Sequence, residues 1–94
     1  MIDEQAVLTQ WTADGFSCGE WSDPPGAVWE DNCHIVEERM LLLEGQLELI
    51  MDGHSQWLEH GQVVCVPAGK VHTVRNPGHD HNRWLYGYGP TGQE

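Results

Sequence analysis

The sequence is short of basic residues. Its 94 residues include only four lysines and arginines against 15 acidic residues, which gives a formal net charge of −11 at pH 7. Proteins bind nucleic acids and acidic membrane surfaces mainly through lysine and arginine. We therefore expect neither a nucleic acid nor a membrane as a partner, and we attribute the acidic surface to solubility.

The sequence also shows no export signal and no membrane-spanning run. The N-terminal residues MIDEQAVLTQW have no basic start and no apolar stretch of signal-peptide length. The longest apolar runs, at residues 40–43 and 63–68, are far too short to span a bilayer. Three cysteines without CxxC spacing, in a chain without an export signal, are expected to be reduced thiols. These features predict a cytoplasmic protein.

Helical periodicity is weak along the chain, and this leaves little room for helices. Turn-forming dipeptides recur at short intervals instead, as suits a series of short strands. Asp52-Gly53 is the clearest hairpin, because both central residues of a type I′ turn need positive φ. A chain of this length forms one domain with one core. We predict a single all-β domain over residues 1–94, a sandwich or a barrel.

The run from Met40 to Leu43 is apolar on both faces of a predicted strand. One face is expected to lie in the core, and the other must be covered by a second sheet or a second subunit. A second subunit would provide that cover, so we predict a homodimer. The alternative is that N-terminal strands of the same chain cover this face.

Two segments carry residues that could bind a metal. Asn32, His34 and Glu38 share one face if their segment is a regular strand, and Cys33 then points the opposite way. His72 follows a Pro-Ala-Gly turn in the second segment. Two imidazoles and one carboxylate from neighbouring strands suit a divalent first-row metal. From spacing alone, ordinary surface histidines are the open alternative.

These segments resemble the two sequence motifs of the cupin family. Residues 26–45 match G-x5-H-x-H-x3-E-x6-G with Asn32 in place of the first histidine, and residues 61–76 match G-x5-P-x-G-x2-H-x3-N in full. Nine of the ten fixed positions therefore agree at fixed gaps. The resemblance implies a single-domain cupin-type jelly-roll β-barrel, commonly dimeric. The matching residues are Gly26, His34, Glu38, Gly45, Gly61, Pro67, Gly69, His72 and Asn76.

In the cupin family, the motif histidines and glutamate bind one metal ion inside the barrel. The resemblance thus implies that His34, Glu38 and His72 bind one divalent ion, which could be Fe, Mn, Zn, Ni or Co. Asn32 stands at the fourth ligand position. Its amide oxygen could ligate and favour Mn or Fe(II), or it could leave the position to water or substrate, or the site could have lost its metal. Of these, we predict the three-ligand site. The glycines, Pro67 and Asn76 are expected to form turns.

Other polar and aromatic residues are weaker candidates for sites. His79 and His81 share one face of an extended segment and could form a second metal site, but a surface loop tip is the expected alternative. Trp84, Tyr86 and Tyr88 form one face of a final strand. They could line the barrel mouth and bind an apolar or planar ligand, but we predict that they pack against the core or a dimer partner. The same packing prediction applies to Trp11, Trp21, Trp29 and Trp57.

No Ser-His-Asp arrangement, phosphate loop or paired-carboxylate pattern stands out. Cupin relatives include dioxygenases, isomerases and lyases, so the resemblance does not choose a reaction. We predict a divalent-metal-dependent enzyme that acts on a small molecule. The alternatives are a non-catalytic barrel that binds a metabolite or metal as a sensor or carrier, and a structural protein that has lost its metal. A cation in the pocket would bind a carboxylate substrate. The candidates are Arg39, Lys70, Arg75 and Arg83.

Overall fold

The computed structural model describes residues 2–90 of the chain. Within that range the chain forms one helix and eight strands. The elements in chain order are α1 (Glu4–Ala13), β1 (Ser17–Trp21), β2 (Val28–Asn32), β3 (Glu38–Glu44), β4 (Glu48–Met51), β5 (His54–Trp57), β6 (Val63–Val66), β7 (His72–Arg75) and β8 (Arg83–Tyr88).

The strands form two four-stranded sheets, in the orders β1-β8-β3-β6 and β2-β7-β4-β5. All strand pairs within the sheets are antiparallel. The side chains between the sheets form one apolar cluster, to which both sheets contribute. This is the all-β jelly-roll architecture that the sequence predicted. The buried members are Met40, Leu42, Leu47, Leu49, Leu58, Val64, Val66, Val74 and Trp84.

The predicted hairpin at Asp52-Gly53 is confirmed. Asp52 and Gly53 have φ of 55° and 76°, and Met51 pairs with His54 across the turn between β4 and β5. The segment before this hairpin also forms strands, β3 and β4, with Gly45 between them at φ 77°. Local turn chemistry therefore determined these boundaries.

The one helix of the described residues, α1, lies at the N-terminus, where the alternative to a dimer had placed strands. The Asp3 side chain caps the helix by accepting a hydrogen bond from the Ala6 N–H at 3.1 Å. Trp11 is the only buried residue of α1, so its apolar face is too narrow to produce a periodic signal. Within residues 2–90, no helix is long and apolar enough to cross a membrane.

The helix packs on the outer face of the sheet that contains β3, against β1 and β8. Met40 and Leu42 point into the cluster between the sheets, whereas Leu41 packs on the opposite face with Trp11 and Phe16. The N-terminal segment of the same chain thus provides the second cover, as a helix rather than strands. A homodimer stays a prediction, and it would need a different surface.

The interior between the sheets is apolar towards one end only. At the starts of β3 and β7 the inward-facing residues are Glu38 and His72, and both are buried. Two residues further along each strand the same face carries Met40 and Val74, which belong to the core. A strand periodicity of two thus places the polar residues at one end of the barrel.

Candidate functional site

The segment from Asn32 to Glu38 does not form the regular strand from which a shared face was predicted. β2 ends at Asn32, β3 begins at Glu38, and the chain crosses from one sheet to the other in between. Asp31 has a φ of 52°, and the pairing of β2 with β7 shifts register between Trp29 and Asn32. Asn32, His34 and Glu38 still line one cavity. It lies at one end of the barrel interior, which we call the open end, and the apolar core occupies the other, closed end.

The structure brings the three predicted ligands together. Glu38 Oε1 lies 3.2 Å from His72 Nε2 and 3.6 Å from His34 Nε2. One potential ligand atom from each residue lies within 4.8 Å of the other two. Among residues 2–90 this is the only group of three or more histidine, cysteine, aspartate or glutamate side chains with that geometry. The arrangement could hold one metal ion.

The hydrogen bonds of His72 define how its ring faces the site. His72 Nδ1 lies 3.0 Å from the Lys70 carbonyl oxygen, which can only accept a hydrogen bond. A neutral His72 that donates from Nδ1 has an unprotonated Nε2 facing Glu38. Metal-binding histidines are commonly oriented by such a bond from the other ring nitrogen.

The turn of the second motif positions both histidines. The Gly69 N–H donates to the His34 carbonyl oxygen at 2.8 Å, and Lys70 provides the carbonyl that orients His72. Gly69 has a φ of 78°, a conformation that side-chain-bearing residues rarely adopt. The His34 ring also packs edge-on against Tyr88, with ring centroids 4.9 Å apart. The expected structural role of this turn is thus visible in the contacts.

Burial favours the uncharged forms of the ionisable side chains in the site. It raises the pKa of the Glu38 carboxyl, and the adjacent His72 partly opposes that rise. Burial also lowers the pKa of the His34 imidazole, and the charge of His72 lowers it further. The pKa of the Tyr88 phenol is raised by burial first and by Glu38 and Tyr86 in addition. Neutral imidazole is the form that binds metals, so the direction for His34 suits a ligand.

Asn32 lines the same cavity as the three residues. Its side-chain N–H donates to the Trp29 carbonyl oxygen at 2.7 Å. Because the nitrogen is engaged there, the oxygen Oδ1 is the end of the amide left for another partner. Its role as a fourth ligand stays a prediction.

The site lies in a cavity of about 310 Å³ whose walls are mostly aromatic. Trp84 and Tyr86 line the cavity and also pack in or against the core, as predicted, whereas Tyr88 lines the cavity without joining the core cluster. Trp21 and Trp29 also line it and are 46% and 45% exposed, so core packing is wrong for them. The lining residues are Trp21, Trp29, Asn32, His34, Glu38, His72, Trp84, Tyr86 and Tyr88.

A buried carboxylate, which the sequence did not reveal, holds three of these tryptophans. Asp23 Oδ1 accepts from the indole N–H groups of Trp21 at 2.8 Å and Trp29 at 3.0 Å. Its Oδ2 accepts from the Trp84 indole at 3.0 Å. Asp23 is only 1% exposed. Trp21 and Trp29 are near Asp23 in sequence, but nothing local signals the contact with Trp84.

Two buried asparagines fix the loop that carries Asp23. The Asp23 N–H donates to Asn82 Oδ1 at 2.9 Å, and Asn76 donates to the carbonyl oxygens of Asp23 and Pro24. Asn76 Oδ1 also accepts from the Gly78 N–H at 3.0 Å. Asn76 therefore stabilises turns, as expected from its motif position, and the aromatic wall rests on a rigid backbone.

None of the four cations lines the cavity. Each is paired with at least one carboxylate elsewhere, so the structure supports none as a binder of a carboxylate substrate. His79 and His81 are exposed, and they join no three-residue cluster within the described part of the chain. The ion pairs are Arg39–Asp14, Lys70–Asp52, Arg75–Glu48 and Arg83 with Glu4, Glu20 and Glu44.

Solved structures with the same fold include a Cupin 2 conserved barrel domain protein from Salinispora arenicola, with a TM-score of 0.72 and 25% identity over 80% of this chain. The Cupin_2 domain of an XRE family transcriptional regulator from Enterobacter cloacae has a TM-score of 0.74 and 23% identity, covering 84% of this chain and 85% of that one. The EutQ protein of Clostridium difficile has a TM-score of 0.68 and 23% identity over 80% of this chain. The chain spans 63% of the Salinispora protein and 52% of EutQ.

A search of curated proteins gave no match. The family comparison agrees with the motifs: the Cupin_2 model, described as "Cupin domain", matches residues 19–88. That range contains both motif segments, all three clustered side chains and all nine residues that line the cavity. The chain belongs to the Cupin_2 family.

Proposed function

We propose that His34, Glu38 and His72 bind one divalent metal ion and that a small-molecule ligand binds beside it in the aromatic cavity. One observation carries this proposal: Glu38 Oε1 lies 3.2 Å from His72 Nε2 and 3.6 Å from His34 Nε2, so that two imidazoles and a carboxyl group converge. His72 and Glu38 are buried, at 2% and 3% exposure, and the bond from His72 Nδ1 to the Lys70 carbonyl oxygen leaves Nε2 of a neutral His72 facing the cluster. The donor set of two imidazoles and one carboxylate suits Fe, Mn, Co, Ni or Zn.

The function that this arrangement supports best is that of a metal-dependent enzyme acting on a small molecule, with oxygenase-, isomerase- or lyase-like chemistry. Two imidazoles and a carboxylate leave coordination positions open for a substrate. A bound ion would supply Lewis-acid polarisation of a substrate oxygen or redox chemistry. The chain's own residues orient the histidines through Gly69 and Lys70 and surround the substrate with aromatic side chains.

A second candidate is a non-catalytic barrel that binds a small molecule or a metal as a sensor or carrier. Within residues 2–90, the ionisable side chains that line the cavity besides the three proposed ligands are Tyr86 and Tyr88. Burial raises the pKa of Tyr88 further from neutrality. This lining contains no further carboxyl or imidazole group, which favours binding over proton-transfer chemistry. In a barrel that binds only a small molecule, a proton instead of a metal ion would lie between His72 and Glu38.

The metal proposal is tested by elemental analysis of untagged protein and by titration of the chelator-treated protein with Fe(II), Mn, Co, Ni and Zn. We expect about one equivalent of metal in the unsubstituted protein and none in His34→Ala or His72→Ala. His79→Ala and His81→Ala are the matched controls, because these histidines are exposed and lie outside the cluster. Protein that stays metal-free after reconstitution would overturn the proposal. An Asn32→His variant with higher metal affinity would show that Asn32 faces the ion.

Three further features are part of this proposal. They are a single cupin domain over residues 1–94, a homodimer and a cytoplasmic location. The dimer is tested by sedimentation equilibrium, where a monomer at all concentrations would overturn it.

A further inference from the structure

We propose that the cavity binds a small organic cation, of the class that carries a methylated ammonium group, within a cage of tryptophan and tyrosine rings. This inference rests on the proposed function in taking the cavity as the ligand site, and it names the ligand class. It does not require the metal ion to be bound.

The aromatic rings are arranged as the walls of a cage. Trp21 and Trp29 meet at 69° with ring centroids 6.2 Å apart, and Trp84 and Tyr86 meet at 72° with centroids 6.4 Å apart. Tyr86 and Tyr88 are inclined at 48°. Five aromatic side chains, none of them stacked in parallel in these pairs, thus line the same cavity. An organic cation is attracted to the faces of such rings, and tryptophan gives the strongest attraction.

The hydrogen bonds to Asp23 leave the tryptophans no polar group for a ligand. An indole has one N–H donor and no acceptor, and the N–H groups of all three cavity tryptophans are engaged by the same buried carboxylate. The three rings can therefore offer a ligand only their π-systems. The carboxylate also places a negative charge beside the rings and holds them before the ligand arrives, which reduces the entropic cost of binding.

The charges around the cavity favour a cationic ligand over an anionic one. No lysine or arginine lines the cavity, and the Asp23 side chain accepts hydrogen bonds from its three tryptophans. All four basic residues of the chain are engaged in ion pairs elsewhere. The formal net charge of −11 adds a field that attracts cations. An anionic ligand would have no lysine or arginine here as a partner.

Two of the three tryptophans that line the cavity are unusually exposed for large apolar side chains. Trp21 and Trp29 are 46% and 45% exposed at its mouth. Neighbouring exposed apolar side chains commonly mark a binding site. The volume of about 310 Å³ suits a ligand the size of choline with room for the metal beside it.

The test compares choline with 3,3-dimethylbutan-1-ol, which has the same shape but a carbon in place of the charged nitrogen. Both are titrated by calorimetry into chelator-treated and metal-loaded protein. We expect choline to bind at least about 10-fold more tightly than the neutral analogue to the chelator-treated protein. We expect a smaller preference in the metal-loaded protein, because the bound ion repels the ammonium group. Equal affinities in the chelator-treated protein, or a preference for the neutral analogue, would show a merely apolar cavity and overturn the proposal.

Two tryptophan substitutions test whether choline binds in this cavity. Trp29→Leu is expected to weaken choline binding by about 10-fold, and the matched control Trp57→Leu is expected to leave it unchanged, since Trp57 is 52% exposed and does not line the cavity. Choline binding that survives Trp29→Leu would overturn the proposal. The metal titration is repeated on the same samples. Metal binding without choline binding overturns the cage alone, whereas choline binding without metal overturns only the metal centre.

Discussion

The two ends of the barrel interior are built from the same strands but differ in chemistry. At the closed end, β3 and β7 contribute Met40 and Val74 to an apolar core. One step earlier on the same faces, the strands contribute Glu38 and His72 to the cavity. The closed end is held by apolar packing, and the open end is held by hydrogen bonds between side chains and loops. A shift of two residues along a strand thus separates the core from the site.

The difference shows which part of the molecule carries its stability and which its function. The closed end gains free energy from every buried apolar group. The open end places the Glu38 carboxyl beside the imidazoles of His34 and His72. The three tryptophans that line the same cavity donate their indole N–H groups to Asp23. Such a region is expected to cost stability in the metal-free, ligand-free protein. Replacing the buried polar pair with apolar side chains should therefore have the opposite effect to truncating a side chain of the core.

The largest effect is expected at the closed end. Leu49→Ala removes a side chain with no exposure and should lower the free energy of unfolding by about 2–5 kcal/mol. The folded fraction should still bind the metal, because Leu49 does not line the cavity. Urea denaturation of the chelator-treated protein measures the loss, and Val63→Ala on an exposed position is the control. A loss no greater than that of the control would contradict a closely packed closed end.

At the open end, a double substitution should have the opposite sign. Glu38→Leu with His72→Leu replaces the buried polar pair with apolar side chains and should raise the free energy of unfolding of the metal-free protein by about 1–4 kcal/mol. His72→Leu alone leaves Glu38 without its closest partner, so it should be less stable than the double variant. Metal titration should show that the double variant no longer binds. A double variant less stable than the unsubstituted metal-free protein would show that the polar pair stabilises the fold.

The sequence allowed the polar end of the barrel to be predicted because its signals are local. His34, Glu38 and His72 lie at motif spacings, and the glycines between them are needed wherever the chain turns. The same holds for the hairpin at Asp52-Gly53, where two adjacent residues determine the turn. Fixed short spacings are preserved when the chain folds, so they can be interpreted without knowledge of the tertiary structure.

The aromatic wall and the helix could not be predicted in this way. Asp23 and Trp84 are 61 positions apart, and only the pairing of strands brings them together. Aromatic residues are usually core residues, so sequence alone assigned Trp21 and Trp29 to packing. Helix α1 depends on its cap at Asp3 and on one buried tryptophan, and neither produces a periodic pattern.

A smaller effect is expected where Asp23 holds the tryptophans. Asp23→Asn keeps the shape but places an amide N–H₂ group against an indole N–H that had an acceptor. We expect a loss of about 1–3 kcal/mol in the free energy of unfolding, together with a change in tryptophan fluorescence. Asp80→Asn, on an exposed loop, is the control. Unchanged fluorescence and stability would show that Asp23 does not orient the wall.

The smallest effect is expected from a comparison of two turns. The turn at Gly45 is packed against Asn82, and the turn at Gly53 faces open space. Gly45 and Gly53 have nearly the same φ, 77° and 76°, so replacement by alanine should strain both backbones by about 1–2 kcal/mol. A Cβ at Gly53 meets open space, whereas a Cβ at Gly45 would lie 3.0 Å from the Asn82 Cα. Gly45→Ala should therefore cost about 1 kcal/mol more than Gly53→Ala in urea denaturation.

The difference between the two turns should also be visible at the cavity. Asn82 accepts a hydrogen bond from the Asp23 N–H at 2.9 Å, so a displacement of Asn82 moves the carboxylate that holds the tryptophans. Gly45→Ala should alter tryptophan fluorescence and weaken choline binding, and Gly53→Ala should do neither. Equal effects of the two variants would mean that the β3–β4 turn does not support the aromatic wall. In that case the open end would depend on Asn76 and the Asp23 loop alone for its rigidity.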